Sequence, residues 1–148
     1  MMQKVKALIG VVITSLLISS CSSPVKEAKL GNCSDQQSVV VENHISEQID
    51  AIADSDWPRA YEYAAASFQK SVSLEQFKRV INRQYLYLIF NEGFTFGECK
   101  NNAQGINQIV VVDFQGRKRT LSYDLTLIGE RLGVVAATEI EQSDAVAA

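Results

Sequence analysis

Histidine occurs once and cysteine three times in 148 residues, and these scarcities remove much of the chemistry a sequence can advertise. His44, Cys21, Cys33 and Cys99 lack the short spacings that gather metal ligands, so no metal site is expected. There is no Gly-x-Ser-x-Gly elbow, and the lone histidine cannot be matched to a placed acid from sequence, so nucleophilic catalysis finds little support. No glycine-rich phosphate loop occurs either. Gly93 and Gly97 flank Phe94-Thr95-Phe96 and read as strand or bulge residues. A basic stripe is also missing: 14 basic residues against 17 acidic ones give a net charge of −3. Arg117-Lys118-Arg119 beside Gly116 reads as a solvated hairpin tip, so nucleic acid is not an expected partner. No organic cofactor is expected, and no internal repeat is present.

Long apolar runs are absent as well. The stretch from Ala7 to Ser20 has 14 residues, too few to span a bilayer, and no later run approaches about 18. It follows a basic head with Lys4 and Lys6 and closes on Ile18-Ser19-Ser20-Cys21. A charged head, a short apolar segment and small residues before a cleavage point make the pattern of a removed secretory segment. With cysteine at that point, the segment resembles a bacterial lipoprotein signal. An ordinary signal peptide is the plainer alternative. The resemblance implies removal of residues 1–20, a diacylglycerol on the Cys21 thiol and an acylated new amino terminus. Two or three acyl chains anchor durably where one is marginal, each buried methylene contributing about 0.8 kcal/mol. Ser22 stands where an Asp would imply inner-membrane retention in enteric-type bacteria. The implied location is therefore the outer membrane, periplasmic side; in a single-membrane organism it would be the outside of the plasma membrane.

Residues 21–33 then read as the lipidated cysteine and a polar tether, 34–140 as one domain, and 141–148 (EQSDAVAA) as a disordered tail. Loss of Lys4 and Lys6 would leave 12 basic and 17 acidic residues, about −5. In an oxidising compartment the natural pairing of the two remaining cysteines is a Cys33–Cys99 disulfide; two reduced, buried thiols are the alternative.

Ser34-Asp35-Gln36-Gln37 has the form of a capping box, and Val41, Ile45, Ile49 and Ile52 follow at helical spacing with Gln48 among them. This helix should end near Asp54. Asp56 with Pro58 starts a second, short helix to about Ala66. Ser73-Leu74-Glu75-Gln76 opens a third, whose apolar face is Leu74, Phe77, Val80 and Ile81. From about Tyr85 the period changes to that of strands, expected over Gly93–Lys100, Ile106–Phe114, Arg119–Ile128 and Leu132–Ile140. In the third, Leu121, Tyr123, Leu125 and Leu127 alternate with Ser122, Asp124 and Thr126. Gln115-Gly116 and Gly129-Glu130 suit tight hairpins. The expected class is α+β: three amino-terminal helices packed on a curved antiparallel sheet of about four strands.

Gln48 to Asp56, Ala60-Tyr61, Ala66-Ser67 and Glu75-Gln76-Phe77 resemble the helical half of an uncharacterised bacterial family within the NTF2-like, cone-shaped α+β domains. Tyr85, Gln108 to Asp113, Gly116 and Ser122 to Leu125 continue the likeness, which covers roughly Val39 to Ile140. One departure lies at Arg131-Leu132-Gly133-Val134, since the last strand of such domains often begins with Trp. Enzymes of that superfamily, isomerases and dehydratases among them, place an Asp or His inside the cone.

His44 lies beside the apolar stripe and faces the cone mouth or solvent. Asp56 is better explained as a cap and Asp54 as a helix-end residue. Asp113 and Asp124 lie within strands, although Asp124 shares its face with Ser122 and Thr126. Ten of the 12 aromatic residues fall between Trp57 and Phe96. Tyr61, Tyr85, Tyr87, Phe90 and Phe94 are the candidates to line a pocket, with core packing and an exposed partner surface as alternatives. Three functions follow: a non-catalytic envelope lipoprotein binding a small apolar ligand or a protein partner; an isomerase- or dehydratase-type enzyme using a buried carboxylate; or an assembly component that dimerises through its sheet. The first is the expectation.

Overall fold

The computed structural model describes residues 30–140. The expected signal segment 1–20, Cys21 with most of the tether, and the tail 141–148 lie outside those residues. In chain order come β1 (Gly31–Asn32), α1 (Asp35–Ala53), α2 (Trp57–Glu62), α3 (Ala66–Ser71), α4 (Leu74–Gln84) and α5 (Leu86–Ile89). Then follow β2 (Gly93–Asn102), β3 (Gly105–Phe114), β4 (Arg117–Ile128) and β5 (Arg131–Ile140).

Local chemistry accounts for the main helix starts. Ser34 Oγ accepts from the Gln37 N–H at 3.2 Å and begins α1. The second half of that capping box does not form. Gln37 instead exchanges two side-chain hydrogen bonds with Asn101 of β2, at 2.7 and 2.9 Å, because the strand lies within reach. Asp56 accepts from the Arg59 N–H at 3.3 Å, with Pro58 in the first turn of α2. At α4 the capping box is complete between Ser73 and Gln76, and Phe77 and Ile81 are buried.

Three helices were expected and five are present among the described residues. The second stops at Glu62 rather than Ala66, because the next residues give their backbone groups to β5. The Ala65 N–H donates to Val134 O at 2.7 Å and the Val134 N–H to Tyr63 O at 2.9 Å. The chain then restarts as α3, which no side chain caps. The single turn α5 carries the chain from α4 toward the sheet.

The sheet is open and antiparallel, in the order β1-β2-β3-β4-β5. Four strands were expected; the fifth is the two-residue β1, paired Gly31 to Asn101 and Asn32 to Lys100. At the β3–β4 turn Gln115 and Gly116 have φ of 51° and 70°, the pair of positive values a two-residue type I′ hairpin needs. Ile106, Gln108, Val110 and Val112 of β3 are buried, as are Leu121, Tyr123 and Leu125 of β4. The apolar residues of this set and Tyr123 meet Val41, Ile45, Ile49 and Ile52 of α1 in one core. Leu127 departs from the expected buried alternation, with 57% of its surface exposed near the far end of β4. Register shifts between Phe96 and Cys99, and between Asp124 and Leu125, mark bulges.

Cys33 and Cys99 are joined, with an S–S distance of 2.01 Å and Cα atoms 5.4 Å apart, which is compatible with the expected pairing. Helices, sheet and bridge close a core within residues 30–140, which is what a chain needs to fold as a unit.

Candidate functional site

A cleft of about 240 Å³ lies between α4 and the edge strand β5. Gln48 and Ile52 of α1, Phe77, Val80 and Ile81 of α4, and Val134 to Ala137 of β5 form most of its walls, with Tyr85 and Tyr123 between them. The helical spacing of α4 places Phe77 and Ile81 inward and leaves Val80 at the rim, 40% exposed. The β4 alternation places Tyr123, with 1% of its surface exposed, beneath the cleft.

Three polar side chains border this space. The Tyr85 hydroxyl donates to Ala137 O at 2.8 Å, and Gln48 Nε2 donates to Ala60 O at 3.2 Å. Both bonds tie helical-layer residues to backbone and fix the cleft's shape. The Tyr123 phenol is pushed well above its ordinary pKa, first by burial and then by the nearby Tyr85, so it stays protonated at neutral pH. Among the described residues no carboxylate, histidine, lysine or arginine lines the cleft.

Of the five aromatic residues expected to line a pocket, Tyr85 borders this one. Tyr61 instead holds the α3–α4 connection, its hydroxyl reaching Val72 O at 2.5 Å and Gln69 O at 3.2 Å. Tyr87 is buried with the Arg119 guanidinium 5.9 Å from its ring centre; burial and then Glu139 raise its phenol pKa. Phe94 packs edge-on against Phe96, ring centres 5.8 Å apart, and Phe90 is 64% exposed. The turn of α5 separates Tyr85, Tyr87 and Phe90, which sequence proximity had grouped.

The acid and base candidates also lie away from the cleft. His44 is half-buried, its Nε2–H donating to Tyr63 O at 2.9 Å; desolvation lowers its pKa, partly offset by that bond. Asp54 ends α1 and Asp56 caps α2. Asp113 pairs with Lys118 at 2.8 Å, and Asp124 accepts from Asn107 at 2.8 Å. Arg119, expected at a solvated tip, is paired within the sheet to Glu139 at 2.9 Å.

Gln48, Phe77, Ile81 and Tyr123 are the cleft residues that sequence reasoning passed over. One signal was available: Gln48 is a polar residue within an otherwise apolar helical stripe. Among the described residues no three of His, Cys, Asp and Glu gather as a metal site requires, and no helix is long and apolar enough to cross a membrane.

A family model described as "Domain of unknown function (DUF4864)" matches residues 34–145. No curated protein and no solved structure matches this chain.

Proposed function

The chain belongs to the DUF4864 family, a domain of unknown function, and from the cleft itself we propose that it is a non-catalytic binding module for a small apolar or amphipathic ligand. The observation that carries this reading is the cleft between α4 and β5, walled by apolar side chains and, among the described residues, without a carboxylate or imidazole. Apolar walls with a few fixed polar groups suit retention of a small molecule. The isomerase or dehydratase reading calls for a buried carboxylate within reach of the substrate, and none of the described cleft residues supplies one, which makes it the weaker reading.

We read the architecture as an NTF2-like cone. Helices that precede an antiparallel sheet, together with two bulges that favour curvature, support this. The domain is held at the envelope by lipid on Cys21, most simply at the outer membrane facing the periplasm. The lipoprotein-like signal supports that placement.

Native mass spectrometry of residues 22–148, exported on a cleavable signal and purified without denaturant, tests the binding role. The expected spectrum carries a protein peak displaced by the mass of a co-purifying small molecule. A clean, empty monomer or dimer would move the search to envelope protein partners.

A further inference from the structure

We infer that the cleft between α4 and β5 selects a small uncharged ligand, whose single polar end accepts a hydrogen bond from the Tyr123 hydroxyl. This rests on the cleft being a ligand site. Its size sets the first limit: at about 240 Å³ the cleft is smaller than the roughly 300–1,000 Å³ of pockets that hold drug-sized molecules. A medium-length alkyl chain with one small head group fills that space.

Charge sets the second limit. Among the described residues the cleft walls carry no cation. Arg119 is paired with Glu139 at 2.9 Å and is not among the residues lining the cleft. A carboxylate entering this space would give up water and meet no opposite charge, an unfavourable exchange. An alkylammonium ion would fare no better, because among the described residues no carboxylate lines the walls either.

Polar capacity sets the third. The Tyr85 hydrogen is already given to Ala137 O, and Gln48 Nε2 to Ala60 O. Tyr123 is different. The residue is almost wholly buried yet borders the cleft, and no hydrogen bond contributes to the shift of its phenol. An alcohol, ether or carbonyl oxygen in the cleft can accept that hydrogen in place of water. The raised phenol pKa keeps the group a donor across the physiological range.

The test is an amide NMR titration of residues 22–148, freed of co-purifying material, with 1-octanol and with octanoate at pH 8. The expected result is saturable binding of 1-octanol at one equivalent, with shifts centred on Val134 to Ala137. Octanoate should bind at least about tenfold more weakly, as expected for an unpaired charge. Tyr123→Phe should weaken 1-octanol by roughly two- to tenfold, the range of one neutral hydrogen bond. Val80→Trp, at the rim, should block both compounds.

Octanoate binding as tightly as 1-octanol in the same cleft would overturn the charge selection while leaving the ligand site standing. Unchanged 1-octanol affinity in a folded Tyr123→Phe protein would overturn the role of the hydroxyl. Failure of both compounds to shift the cleft residues would overturn the inference together with the site beneath it. Should Tyr123→Phe fail to fold, the contrast between alcohol and acid in the unsubstituted protein still decides.

Discussion

A Cβ placed on Gly133 would stand 2.6 Å from the Cα of Ala65. Strand β5 and the α2–α3 link therefore meet backbone to backbone. The hydrogen bonds that join Val134 to Tyr63 and Ala65 depend on that approach. Because Val134 is also a wall of the cleft, the absent side chain at Gly133 helps set the shape of the candidate site.

Gly133→Ala should force the two backbones apart and lower stability by about 1–3 kcal/mol, the usual cost of overpacking. Gly116→Asn is the control. Gly116 has φ of 70° and open space around its Cα, and Asn tolerates this conformation, so little change is expected. Urea unfolding midpoints of the two variants provide the comparison.

The Cys33–Cys99 bridge closes a separation of 66 residues. Under the chain-entropy account, replacing both with Ser should reduce stability by about 4 kcal/mol. Chemical denaturation measures the loss. Thiol alkylation without reductant should label neither cysteine in exported wild-type protein; labelling of both would rule the bridge out.

His44 supplies a pH dependence with a definite sign. Its folded pKa lies below the ordinary 6.5, so the unfolded chain binds the proton more readily. Its contribution is present above pH 6.5 and is lost as pH falls through the lower folded pKa. His44→Gln should flatten this part of the profile. Unfolding midpoints from pH 7.5 to 5.5, taken as the difference between wild type and variant, isolate it from the carboxylates.

Cys21→Ala should leave an unprocessed precursor, read as an intact-mass increase over the mature form and loss of the lipid increment. Cleaved, unlipidated protein released to the periplasm would instead favour an ordinary signal peptide.

Elements built from neighbouring residues were legible in the amino-acid order itself. Ser73 and Gln76 cap each other, Asp56 and Pro58 start a helix, and the Leu121-Tyr123-Leu125 alternation marks a strand with one buried face. In each case the interacting groups sit two to four residues apart, so spacing and side-chain chemistry identify them. The two hairpins follow for the same reason, since Gln115-Gly116 and Gly129-Glu130 join strands adjacent in the chain.

The cleft was not legible in that way. Tyr85, Tyr87 and Phe90 are close in sequence, yet one borders the cleft, one is buried beside Arg119 and one faces solvent. Their separation depends on a single turn whose orientation is set by packing. Gln37 likewise leaves its own cap for Asn101, 64 residues away, because the disulfide and β1 bring that strand alongside. Short-range hydrogen-bonding preferences and side-chain periodicity already specified which segments become helix or strand. The interruption at Tyr63 to Ala65, the walls of the cleft and the setting of Tyr123 depended on contacts between residues far apart in the chain. Those contacts form only when the layers close, because burial and backbone pairing reward a segment according to what packs against it.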